Sequence, residues 1–305
     1  MMVKNGQHGS GTGRAIREVP FTAPAGVPSG VEVMSFALLR SRLPARSLTG
    51  PQRPSFHHLL APTRGVLRHS VDFTGYVMRP GTWLWVRPGQ VQQWHAMDAT
   101  EGTAVLFEAS FLDAATATAA RLDDPYAAVG LEPGDREGRR LDMARDHLRE
   151  EFEAFGHLPL SVHTAALRHL LAVLVLRLSH LGPPAGGPQA EPDETFLRFR
   201  DAVEEDFFRT RRVEDYARRL GYSARTLTRA SLAAAGVGAK EFIDRRLVLE
   251  AKRLLAHGDQ SAVRISRQLG FSSATNFSKY FQERTGQSPI GFRTTIRGLP
   301  PTGGG

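Results

Sequence analysis

Two stretches of the same design constrain this chain more than any other feature. In the second, Ser261 to Arg293, Val263, Ile265 and Leu269 make the apolar side of a short helix and Gly270 permits the tight turn that ends it. Ser272 and Ser273 are candidate caps of a second helix, Phe277 and Phe281 sit one turn apart on it, and Gly286 with Ser288-Pro289 stops it. The first stretch repeats the plan. Val213, Tyr216, Ala217 and Leu220 form a helix, Gly221 turns, Ser223 caps, and Leu227 and Gly236 keep the separation of Phe277 and Gly286. Two short helices joined by a glycine turn are an ordinary helical hairpin or a helix-turn-helix, whose second helix enters a DNA major groove. One position breaks the repeat: Ser231 stands where the second copy has Phe281, and Leu232 is expected to fill part of that space. Between the copies, Lys240 to His257 predicts one continuous helix without Gly or Pro, with Ile243, Leu247, Leu254 and Leu255 on one apolar row and Phe242 and Leu249 on a second.

Charge separates this half from the rest. The chain has 305 residues and a net charge of +8, and residues 195–297 hold 20 Lys and Arg against 11 Asp and Glu. The remainder is close to neutral, so only the C-terminal module is expected to meet a polyanion. The Pro- and Gly-rich stretch 182–194 predicts a linker between the two. Cysteine is absent, which excludes disulfides, thiolate metal sites and cysteine nucleophiles. The longest apolar run, Leu170 to Leu176, is too short to cross a bilayer, and the expectation is a soluble cytoplasmic protein with no membrane partner.

The N-terminal half has a different grammar. Residues 1–30, rich in Gly, Pro, Ser and Thr, predict a flexible arm, and 298–305 a flexible tail. From Val31 to about Leu112 short apolar segments alternate with turn signals such as Pro80-Gly81 and Pro88-Gly89, predicting the strands of a small barrel or sandwich. The strands expected are Val31–Leu39, Phe56–Leu60, Val66–Phe73, Gly75–Met78, Thr82–Val86, Gln90–Trp94 and Thr103–Glu108. Trp83 and Trp85 share one strand face, and with Trp94 they are the only tryptophans. Helices follow, one through Leu141, Leu148 and Phe152 and another over about Val162 to Leu181 with more apolar residues than one stripe needs.

Gly270, Phe271, Phe277, Phe281, Gly286, Pro289, Phe292 and Arg293 resemble the pattern of the AraC/XylS family of bacterial transcription regulators, from about Phe196 to Arg297. The resemblance is weaker in the N-terminal half, where Pro88 to Trp94 looks like the Pro-Gly turn and following strand of that family's cupin-like effector domain. It implies a cupin-like β-barrel with flanking helices at 31–181, for effector binding and dimerisation, and an all-α module of two helix-turn-helix units at 195–297. The implied partners are promoter DNA, a small-molecule effector, a second copy of the chain and, for an activator, RNA polymerase.

On each second helix the outward positions are those that meet DNA in the family: Arg225, Thr228 and Arg229 in the first copy, Thr275, Ser278 and Lys279 in the second. Arginine can clamp a guanine edge with two parallel hydrogen bonds; any of these side chains can instead hold a phosphate. In the barrel, Trp94 matches the family's sugar-contacting aromatic, and Trp83 and Trp85 offer an aromatic wall for an apolar or sugar ligand, or else barrel core. Ala104 falls where the arabinose-responsive member stacks a tryptophan, which argues against arabinose. His57, His58, His69 and His95 are the candidate metal ligands, but adjacent His57 and His58 point to opposite strand faces and no His-x-His-plus-Glu set is present. The sequence therefore predicts no metal, no cofactor and no catalytic residues. Two alternatives stay open, a barrel that is only a dimerisation scaffold and a cupin-type enzyme with a DNA-binding appendage.

Overall fold

The computed structural model describes residues 17–22, 28–42, 50–95, 97, 99–122, 124, 126–181, 193–257 and 260–296. The tail expected at 298–305 lies outside them, as does all but the end of the linker expected at 182–194.

Among the described residues the N-terminal half has ten short strands: β1 (Arg17–Val19), β2 (Val31–Ser35), β3 (Gln52–Pro54), β4 (His57–Arg64), β5 (Leu67–Val71), β6 (Thr74–Met78), β7 (Trp83–Val86), β8 (Gln92–Trp94), β9 (Glu101–Phe107) and β10 (Gly130–Leu131). They form two five-stranded sheets, ordered β1-β3-β8-β5-β6 and β10-β7-β4-β9-β2. All ladders are antiparallel except β1 with β3, in which a piece of the stretch expected as a flexible arm adds a parallel edge strand. The strand expected over Val31–Leu39 is shorter, because Phe36–Arg42 turns into a helix, α1, that buries Phe36 and Leu39.

Alternation along β4, β7 and β9 divides two cores. His58, Leu60, Leu84, Val86, Ala104 and Leu106 share the face that closes over β5 and β8, where Leu67, Val71 and Trp94 complete the barrel interior. His57, Leu59, Trp83, Trp85, Val105 and Phe107 share the other face. That face is covered by α3 (Asp135–Glu153) and α4 (Leu160–Ser179), which follow the short α2 (Ala114–Ala119). By length and composition α4 is apolar enough to cross a bilayer. Its Leu167, Leu171, Leu174, Val175 and Leu178 are instead buried in the core beneath the helices.

The C-terminal half is all helix: α5 (Glu194–Asp206), α6 (Val213–Leu220), α7 (Ala224–Ala235), α8 (Ala239–His257), α9 (Ala262–Gln268), α10 (Ala274–Thr285) and α11 (Pro289–Ile296). One core runs through it, from Phe196 and Phe199 through Leu227, Ile243 and Leu247 to Phe277, Phe281 and Phe292.

His57, His58 and His69 are buried in or against the barrel, and burial lowers each from 6.5 to about 3. The folded protein therefore refuses protons that the unfolded chain accepts between pH 6.5 and 3, and stability falls as pH falls through that window. Each such histidine should cost on the order of 1–2 kcal/mol at pH 5. Thermal melts from pH 7 to 4.5 should show this loss, and His58→Gln, which keeps a hydrogen-bonding side chain without the titration, should flatten the slope. An unchanged slope would show that acid acts elsewhere.

Candidate nucleic-acid interface and barrel interior

The second helix of each unit is positioned by caps and glycines. Ser223 accepts from the Thr226 amide at 3.0 Å and starts α7; Ser273 accepts from the Asn276 amide at 3.1 Å and starts α10. Ser272, the other candidate cap, instead accepts from the Asn276 side chain at 2.9 Å. Gly270 is in the left-handed region at φ 70°, and a Cβ there would sit 1.9 Å from the Phe208 carbonyl oxygen. The second turn is thus pressed against the α5–α6 connection, and only glycine fits.

Arg225 and Arg229 are exposed on α7, on the side opposite buried Leu227, and Thr275 and Lys279 are exposed on α10 opposite Phe277. Among the described residues, neither arginine nor Lys279 has a carboxylate within ion-pair distance. Thr228 and Ser278 are half-buried, and the Thr228 hydroxyl donates to the Ala224 carbonyl of its own helix. The first unit departs from the second where the sequence does. Ser231 is fully buried with no partner for its hydroxyl, and Leu232 does not fill that space: it is 52% exposed. One turn of α7 brings position 231 inward and carries 232 past the core.

A node that periodicity alone does not reveal ties α10 to α8. Asp244, buried, accepts from Lys240, from the Tyr280 hydroxyl at 2.7 Å and from Arg284 at 2.8 Å. These donors hold the Asp244 carboxyl below its ordinary value against the opposing effect of burial, while burial and Asp244 push the Tyr280 phenol up. The only hint in the sequence is the i,i+4 spacing of Lys240 and Asp244.

In the barrel the wall of Trp83 and Trp85 and the aromatic contact expected at Trp94 lie on different faces. Trp83 and Trp85 lie on the helix-covered face, where the Trp85 indole donates to His57 Nδ1 at 3.1 Å and Arg87 stacks over the ring at 4.3 Å. Trp94 lies in the interior, edge-on to His69 at 4.4 Å between ring centroids. There the Gln92 amide nitrogen donates to His58 Nδ1 at 3.4 Å, and its oxygen accepts from His69 Nε2 at 3.1 Å. Gln92 thereby bridges the two sheets. With both imidazoles neutral, the bridge leaves His58 Nε2–H and Trp94 Nε1–H as donors and His69 Nδ1 as an acceptor, all buried and without a partner. His58 and His69 meet across the interior while His57 faces away, and among the described residues no group of three His, Asp or Glu side chains is arranged to hold a metal.

Two family models match the chain, an AraC-like ligand binding domain over residues 34–178 and a helix-turn-helix domain over 216–295. The transcriptional activator RhaS of Klebsiella pneumoniae is 24% identical over 85% of this chain and 92% of its own length. The virulence regulon transcriptional activator VirF of Yersinia enterocolitica is 28% identical over 41% of this chain. The match spans only 42% of VirF, less than half its length. Among solved structures, ToxT of Vibrio cholerae aligns over 87% of this chain and 98% of its own at 11% identity, with a TM-score of 0.40.

If Arg225 and Arg229 each make a bidentate base contact, Arg225→Ala and Arg229→Ala should weaken binding to the preferred duplex by about 1–3 kcal/mol more than binding to random DNA. Titrations on both duplexes measure the difference; equal losses would assign the arginines to phosphates.

Proposed function

This chain belongs to the AraC/XylS family of transcription regulators, and we propose that Arg225 and Arg229 of α7 read base edges while Thr275, Ser278 and Lys279 of α10 engage the next major groove of the same duplex. The observation that carries this reading is the pairing of two capped, glycine-terminated units, each with its outer helix face exposed, through one unbroken helix of 19 residues. At about 1.5 Å per residue α8 spans roughly 28 Å, close to the roughly 34 Å between successive major-groove faces. Asp244 then fixes α10 on that strut. The basic balance of residues 195–297 supplies the attraction to phosphate that every such reader needs. Thr228, with its hydroxyl donating to its own helix, offers no free donor there.

The N-terminal barrel is the effector domain in this reading. Its interior presents two donors and one acceptor on neutral side chains. A neutral molecule bearing both hydroxyl-type donors and acceptors satisfies all three, and none of the three offers a positive charge to a carboxylate. Trp94 is its aromatic contact, whereas Trp83 and Trp85 serve as core beneath α3 and α4. The exposed stripe of α4, with Val162 at 50% and Val173 at 46%, is the surface for a second copy of the chain. The domain boundaries that follow are 31–181 and 195–297. The matched relatives are regulators, and an activating role would add RNA polymerase as a partner.

Leu249→Pro removes a backbone donor and clashes with the preceding turn, at about 3 kcal/mol or more. It should abolish high-affinity binding while circular dichroism retains most of the helix. The parent chain should protect two successive major grooves on one face; protection of a single groove would overturn the paired reader.

A panel of neutral polyols and their carboxylate counterparts provides the effector test. Neutral compounds alone should raise the melting temperature and quench tryptophan emission, and Trp94→Ala should remove the quench while leaving DNA binding intact. Stabilisation by carboxylates alone would overturn the neutral-ligand assignment.

A further inference from the structure

The two halves of the chain touch along one side of α8, and the contact is built rather than incidental. Asp72 and Phe73 form the turn between β5 and β6, and both take positive φ, 48° and 69°. The Asp72 carboxylate accepts from Arg253 Nε at 2.9 Å and from a second guanidinium nitrogen at 2.7 Å, a paired fork with both side chains largely buried. Phe73 packs edge-on against Phe292 at 5.2 Å, beside Val91 and Ala256. A second contact lies further along: Arg200 pairs with Asp124 at 2.9 Å, and Tyr126 stacks on Phe242 at 4.7 Å.

The same carboxylate is held from the barrel side. Gln90 donates to one Asp72 oxygen at 2.9 Å, the Val91 amide to the other at 3.1 Å, and the Asp72 amide returns a bond of 2.7 Å to the Val91 carbonyl. The next residue is Gln92, the bridge between His58 and His69 in the barrel interior. The three consecutive residues Gln90, Val91 and Gln92, where the chain enters β8, therefore carry both the interior bridge and the grip on Asp72. On α8, Phe242, Arg246, Arg253 and Ala256 fall on one stripe at about 100° per residue, and Asp244, which holds α10, falls on the opposite side.

We propose that the Asp72–Arg253 pair is a latch by which the barrel holds the DNA-reading module through the back of α8, and that Gln92 couples the latch to whatever occupies the barrel interior. The inference rests on the reading of the two halves as effector domain and DNA reader. It adds the route between them. A ligand that draws His58, His69 or Trp94 into new hydrogen bonds must disturb Gln92, and with it the adjoining Gln90 and Val91 that orient Asp72. Because the latch and Asp244 lie on opposite sides of α8, opening it frees the module to reorient without altering its reading face.

The absence of cysteine makes the test direct, since two labels can be placed at will. Spin labels on Val77→Cys and Ile290→Cys, at exposed sites of 46% and 68% on either side of the contact, report the distance between the halves in the full chain. The parent should give one narrow distance distribution. Asp72→Asn, which keeps the shape of the side chain, and Arg253→Gln should each at least double its width, and Gln92→Leu should broaden it as well. A distribution already broad in the parent, or unchanged in Asp72→Asn and Arg253→Gln, would overturn the latch; no change in Gln92→Leu would overturn its coupling to the barrel. Duplexes selected from a random pool by the unlabelled full chain supply the second readout. Asp72→Asn should bind them within about twofold of the parent. A loss above tenfold would overturn the separation of latch from reading face. Failure of the parent to select any duplex would instead strike the DNA-reading assignment and leave the distance result standing.

Discussion

Helix α8 is held from two opposite sides, and the arrangement of everything C-terminal to the barrel depends on that. On one side the buried carboxylate of Asp244 gathers Lys240, Tyr280 and Arg284 and so sets α10 against the helix. On the other, Arg253 grips Asp72 and Phe242 receives Tyr126. The apolar residues Ile243, Leu247, Ala251 and Leu255 fill the space within the module. Tertiary packing of these buried residues, more than intrinsic propensity, supplies its stability.

The two ionic nodes are better regarded as devices of geometry than of stability. Removing two charges from water offsets most of their mutual attraction, whereas deleting one partner strands the other at a cost of about 3–5 kcal/mol. Such a pair punishes every orientation except one. Hydrophobic contact between the same surfaces would be tolerant of sliding, whereas Asp244 holds α10 and Asp72 holds the barrel turn in one relation to α8. The oxygen atoms of Asp72 are satisfied by four donors from two sides of the contact, which makes that position the most strictly defined point between the halves.

The two helix-turn-helix units share a plan but not a packing. The second is seated by Phe277 and Phe281 and by the close approach of Gly270 to Phe208. The first buries Leu227, Ala230 and Ser231, and no side chain approaches the Cβ position of Gly221 within 4 Å. Less dispersion contact and an unpartnered buried hydroxyl leave α7 less firmly held, even though it carries the two arginines.

The duplicated helices, their caps at Ser223 and Ser273, the stops at Gly236 and Gly286 and the exposed side of each reading helix follow from local rules, and the sequence alone was sufficient for them. So was the alternation that puts His57 and His58 on opposite faces, because a strand has period two whatever surrounds it. Tertiary structure decided which face is which. Trp83 and Trp85 share a face by periodicity, but only the docking of α3 and α4 makes it the covered exterior rather than the interior that holds Trp94. Likewise Leu232 could be counted as core until the phase of α7 carried it into solvent. Asp72 and Arg253 are 181 positions apart, and neither periodicity nor spacing encodes a partner at that range. Their pairing exists only because the barrel turn and the back of α8 are brought together by folding.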